Sequence, residues 1–85
     1  MADVERVWLV ERTVDDGKLL RLVYATPDGD RVWTRQRSLH GGGEVTAARE
    51  VDADRLDPVE DPETRERYRR EVDRVRADHD PDDPV

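Results

Sequence analysis

Arg31, Trp33, Arg35 and Arg37 alternate along one run, Arg31-Val32-Trp33-Thr34-Arg35-Gln36-Arg37. Alternate side chains of a β-strand share a face, so this spacing gathers three guanidiniums around one indole. Arg21, on the preceding strand, is expected to join them. An aromatic ring among arginines on an open sheet suits single-stranded nucleic acid: a base stacks on the ring and phosphates meet the guanidiniums. The plainer alternative is that Trp33 belongs to a core or an interface while the arginines pair with Glu5, Glu11 and acidic residues further along. The net charge of −7 favours that alternative, because it repels a polyanion at long range. Nucleic acid is therefore the second reading of these residues.

No other constellation supports a reaction. Ser38 and His40 are two apart and could share one side of a strand end, but no orienting carboxylate or oxyanion hole can be assigned to them. Gly41-Gly42-Gly43 is followed by Glu44 and not by the Lys-Ser or Lys-Thr of a phosphate loop. His40, His79 and Asp52-Ala53-Asp54 lack the spacing of a calcium loop. Arg65, Arg69 and Arg76 lie along one flank of a helical pattern, where a solvated face paired with neighbouring acids explains them. The chain has no cysteine, which removes disulfides, thiolate nucleophiles and cysteine-ligated zinc. A non-enzymatic protein is expected, with no catalytic residue, metal, cofactor or small-molecule substrate.

The elements that must position these residues are legible in the first forty positions. Val4–Val14, Leu19–Thr26 and Arg31–Leu39 are rich in Val, Leu and Trp and read as strands. Val14-Asp15-Asp16-Gly17-Lys18 and Thr26-Pro27-Asp28-Gly29-Asp30 separate them. Both fit a type I turn followed by a left-handed Gly in a bulge. That geometry sets Val14 against Lys18, Thr26 against Asp30 and Glu11 against Arg21. One face then carries Trp8, Tyr24, Val32, Val10 and Leu22, and the other Val7, Ala25, Leu9, Val23, Trp33 and Leu19. His40–Gly43 is a flexible break. Glu44–Val51 alternates as a short edge strand, and Leu56 and Val59 anchor the acidic stretch Asp52–Glu60.

A helix is predicted from Pro62, with Asp61 as N-cap and Glu63 at the positive end of the dipole. Tyr68, Val72 and Val75 form its apolar stripe, and Glu63–Arg67 and Glu66–Arg70 are spaced for i, i+4 pairs. The fold class is α+β: an antiparallel meander of three to four strands followed by one C-terminal helix. Residues 1–79 form a single small domain, and residues 80–85 are expected to be a disordered acidic tail.

Both sheet faces are half apolar, and one helix covers one of them. The other must meet a fold-back of the sheet, a fourth strand or another chain. The leading expectation is a protein-interaction module, a homodimer or a subunit of a small complex, contacting its partner through Leu9, Val23 and Trp33. The alternative is a nucleic-acid-binding regulator using Arg21, Arg31, Trp33, Arg35 and Arg37.

Composition speaks to environment. Among 85 residues, 44% are charged, and of 15 basic residues only Lys18 is lysine, leaving 14 arginines among 22 acids. Carboxylates hold water and hydrated cations, and arginine is a weakly hydrated charge that pairs bidentately with carboxylate. The pattern fits the cytoplasm of an extreme halophile; GC-rich codon bias is the rival explanation. Residues 1–43 are neutral, and residues 44–85 carry the whole −7. No apolar run approaches the length of a membrane span, and the N-terminus lacks a signal-peptide pattern.

Overall fold

Alternating apolar residues and two Gly-containing turns build the expected meander. The structure is a computed structural model that describes residues 3–39 and 45–85. Strands β1 (Val4–Asp15), β2 (Leu19–Ala25) and β3 (Arg31–Ser38) run antiparallel. Strand β4 (Ala48–Asp52) pairs with β1. After a 3-10 turn at Ala53–Arg55, the two-residue β5 (Asp57–Pro58) pairs with β3. The order is β4-β1-β2-β3-β5, and helix α1 (Pro62–Asp78) lies against β1 and β2. The fold is α+β, as expected. His40, the three glycines and Glu44 lie outside the described residues, and with them the Ser38–His40 pair and the expected break.

The register departs from expectation on both sides of β2. At the first turn, Lys18 N–H donates to the Asp15 carbonyl (3.0 Å), and Asp16 and Gly17 both have positive φ, 50° and 68°. Positive φ at both central residues is the mark of a type I′ turn, but Lys18 also stays in the loop: Asp15 faces Leu19, so Val14 faces Leu20 and Thr13 faces Arg21. Glu11 faces Val23, not Arg21. A bulge at Val10 then slips β1 by one residue, so that Leu9 faces Tyr24 and Trp8 faces Ala25.

At the second turn Thr26 decides the outcome. Its N–H donates to the Arg31 carbonyl (3.0 Å), and its hydroxyl accepts the Arg31 N–H (3.2 Å) and donates to Asp28 Oδ1. Asp28 Oδ1 also accepts the Asp30 N–H (2.9 Å). These bonds hold a four-residue loop, with Thr26 against Arg31 in place of the expected Asp30. The added residue turns β3 over relative to β2.

Each strand keeps its internal alternation, but the faces are assembled differently. Trp8, Val23, Ala25, Ala47, Ala48, Tyr68 and Val72 form the cluster under the helix, joined by Val10 and Val32. Val7, Leu20, Leu22, Tyr24, Val45 and Val51 form a second cluster on the other face, joined by Leu9, Trp33, Leu39 and Leu56. That second face is covered within the chain, by Leu39, Val45 and Leu56 from the connecting segments.

The helix begins as predicted: Asp61 Oδ2 accepts the Thr64 N–H (3.2 Å) and the Thr64 hydroxyl (2.7 Å). Tyr68 and Val72 are buried and Val75 is partly so. Its ion pairs are i, i+3, Glu66–Arg69 at 2.6 Å and Glu71–Arg74 at 3.0 Å, in place of the expected i, i+4 set. The tail expected to be disordered lies along the start of β4. Ala47 N–H donates to Asp83 O (2.9 Å), Ala48 N–H to Pro81 O (3.0 Å), and Val85 N–H to Val45 O (2.8 Å). Val85 touches both clusters, which gives the acidic segment an apolar anchor.

Gly29 ties the second turn to the helix. Its φ is +76°, and an added Cβ would come within 2.2 Å of the Arg65 carbonyl oxygen. Gly17 also has positive φ but nothing within 4 Å of that position. Gly29→Ala is expected to lower unfolding free energy by at least about 2 kcal/mol, and Gly17→Ala by about 1 kcal/mol, the strain of the left-handed backbone alone. Urea unfolding of the two variants measures the difference.

Candidate functional site

The side of the sheet away from the helix collects arginines. In β3, Trp33 lies opposite Tyr24, Arg35 opposite Leu22 and Arg37 opposite Leu20. In β4, Arg49 lies opposite Val7 and shares their side. Arg49 reaches across the sheet to β3: its guanidinium sits over the Trp33 ring, 5.9 Å from its centroid. Beneath, the Tyr24 ring meets Trp33 at 5.4 Å between centroids with a 42° tilt. Tyr24, Trp33 and Arg49 therefore form one stack drawn from β2, β3 and β4.

Tyr24 is 1% exposed. Burial pushes its phenol pKa up, against the pull of Arg49, Arg35, Arg37 and Arg12, whose positive charges favour the phenolate. All four guanidiniums are near enough for their charge to act on this one hydroxyl. Beside the stack opens a groove of about 470 Å³ lined by Trp33, Arg35, Arg49, Glu50, Val51, Asp52 and Arg55.

Two of the nearby acids are engaged elsewhere, while Asp52, also in the lining, forms no salt bridge among the described residues. Glu5 pairs with Arg31 (2.9 Å), and Glu50 pairs with Arg6 directly across β4 and β1 (3.2 Å). Arg12 Nη1 donates to the main-chain oxygen of Val85 (3.1 Å). Among the described residues, Arg35, Arg49 and Arg55 form no salt bridge. Each keeps charge-assisted donors for an incoming anion.

This geometry separates the residues singled out from the sequence. Leu9 and Trp33 share a side, but Val23 is 3% exposed beneath the helix and belongs to the other cluster. The expected Leu9–Val23–Trp33 contact patch is therefore not assembled. Arg31, Trp33, Arg35 and Arg37 share a side as their spacing requires, while Arg21 pairs with Gln36 and points to the opposite one. Arg49 and Arg55 were missed as members. The alternation of Arg49 with Val45, Ala47 and Val51 was visible, but nothing local reveals that its side chain will reach β3. Of the helix arginines, Arg76 lies over Trp8 at 5.9 Å and Arg69 is paired with Glu66. Among the described residues no group of His, Cys, Asp and Glu could hold a metal ion, and no helix is long and apolar enough to cross a membrane.

A model of a family of unknown function, DUF7967, matches residues 1–85. The chain belongs to this family. Neither a curated protein nor a solved structure matches this DUF7967 chain.

The buried phenol links stability to pH. In the folded state Tyr24 holds its proton above the ordinary value of 10.0, so the unfolded chain ionises first as pH rises. Stability is full below pH 10 and falls as pH climbs from there toward the folded pKa. Unfolding midpoints measured from pH 8 to 11.5 are expected to fall above pH 10 in the natural protein and to fall less in Tyr24→Phe.

Proposed function

We propose that this protein is a non-enzymatic protein-interaction module whose contact surface is the groove at Trp33, Arg35, Arg49 and Arg55, and whose partner presents carboxylates. The observation that carries this is the Arg49 guanidinium over the Trp33 ring, at the groove, with no described carboxylate paired to it. A guanidinium that uses its face on a ring keeps its in-plane N–H fork, which matches a carboxylate bidentately. Arg and Trp are also the residue types that dominate binding energy at protein interfaces.

Association through a bare apolar face has little left to use. Leu20, Leu22 and Tyr24 are buried within the chain, and among the described residues the exposed large hydrophobics are Val4 at one end of β1 and Val14 and Leu19 at the other. A partner other than a second copy fits better.

Nucleic acid is the second reading, favoured by Trp33 sharing a side with Arg35 and Arg37. It asks a base to stack where Tyr24 and Arg49 already meet the ring. Concentrated salt, the environment the composition suggests, weakens it further. At molar salt the screening length is about 3 Å, so a short bidentate contact survives where long-range attraction to a polyanion fades.

Titration of an Asp-rich peptide into the protein in molar salt, followed by calorimetry, tests the proposal. Arg49→Ala is expected to weaken binding at least 10-fold, and Arg21→Ala, on the opposite side, to leave it unchanged. Equal affinities in the two variants would overturn the assignment of the groove.

A further inference from the structure

The tail reveals how the β4 edge is used. Strand β4 ends the sheet, so one side of its backbone has no strand partner. In an antiparallel ladder the residues bonding inward and outward alternate. Leu9 N–H donates to Ala47 O and Ala53 N–H donates to Asp3 O, which fixes Arg49 and Val51 as the inward-bonding pair. Ala48, Glu50 and Asp52 therefore present their N–H and C=O groups outward. Ala48 already uses its N–H on Pro81 O, at 3.0 Å. The chain's own acidic tail thus adds to the first part of this edge as an extended segment, with Thr46 bridged to Pro84. The part at Glu50 and Asp52 lies beyond it. A second groove of about 510 Å³, lined by Arg6, Thr46, Arg49, Glu50, Pro81 and Asp82, leads from the tail to that open part.

We infer that the partner docks by strand addition: an extended acidic segment of another protein pairs with β4 at Glu50 and Asp52, in line with the tail, and sets alternate carboxylates against Arg49, Arg35 and Arg55. The inference rests on the groove reading above and adds the binding mode to it. Strand addition divides the work between main-chain bonds that hold the segment and alternate side chains that select it. Here the groove at Trp33 includes Glu50 and Asp52 of the edge itself together with Arg35, Arg49 and Arg55, and those three arginines supply the selecting charge. Glu50 does not repel the segment as a free carboxylate, because Arg6 pairs with it at 3.2 Å. The occupant is not a second β4. Two copies paired antiparallel about Glu50 would bring Val51 and Arg49 of the second copy to the side of Arg49, with no carboxylate for the arginines.

The test uses the full chain and an end-blocked eight-residue peptide alternating Asp and Val. Two further versions carry backbone N-methyl groups on alternate residues, one set along each edge of the extended peptide. Binding is read by calorimetry, and the site by amide resonances of Glu50 and Asp52. One N-methylated version is expected to bind at least 10-fold more weakly and the other as the parent does, with the Glu50 and Asp52 amides shifting on addition of the parent. If both N-methylated versions match the parent while Arg49→Ala still weakens it, strand addition is wrong and the groove reading stands. If no peptide binds and an oligothymidylate does so in an Arg49-dependent way, both fall in favour of nucleic acid. If neither probe binds, both fall.

Discussion

The stack of Tyr24, Trp33 and Arg49 joins three of the five strands, and the rest of the molecule is arranged to allow it. Tyr24 comes from β2, at the centre of the sheet. Trp33 comes from β3 on one side, and Arg49 from β4 at the far edge on the other. A flat sheet keeps β3 and β4 three strand spacings apart, roughly 14 Å at 4.7 Å per spacing. Arg49 and Trp33 are long enough to meet across that span by leaning toward each other, and they do so over Val7, Leu20, Leu22 and Val51, on the side the helix does not reach. A chain this small with no Phe and two Trp has few ways to fill two cores. Here one sheet serves both, covered by α1 on one face and by connecting segments on the other.

The reach of Arg49 across the sheet borders the charged groove. Arginines tolerate such a position because their stems lie on apolar surface while their heads stay wet. Trp33 and Tyr24 supply that surface, and Arg35, Arg37 and Arg49 ring it. Two nearby acids are used at the margins of the sheet, Glu5 by Arg31 and Glu50 by Arg6. A protein with a net charge of −7 thereby keeps a locally positive surface. Of its acidic segments, Glu50–Glu63 contributes Glu50 and Asp52 to the margin of the groove, and Asp78–Val85 already shows what an acidic extended segment does at the β4 edge.

Much of this was legible from residue order. The strands, the turn positions, the Asp61 cap with Pro62, the Tyr68–Val72–Val75 stripe and the insufficiency of one helix for two apolar faces all follow from local patterns. Register was not legible, because it turns on two single-residue events. The Val10 bulge slips β1 against β2, and the hydroxyl of Thr26 with the carboxylate of Asp28 holds a loop one residue longer than the glycine implies. Each slip moves side chains across the sheet, which is why Val23 left the expected patch and Arg21 left the arginine set. Arg49 was missed for a different reason. Its pairing with Trp33 depends on strand order across the whole sheet, which leaves no mark in a window of a few residues. The tail's attachment through Val85 rests on a single apolar residue among acids, a signal too slight to separate from a solvated end.

The central claim is that, within a single chain, Arg49 of β4 reaches across the sheet to Trp33 of β3. Side-chain NMR of the protein in dilute solution tests it most directly, through the ring current of Trp33 on the Arg49 side-chain protons. Upfield-shifted Arg49 δ protons with cross-peaks to the Trp33 indole, both lost in Trp33→Leu while the fold persists, are the expected result. Arg49 protons at ordinary positions with no contact to the indole, in a folded protein, would contradict it.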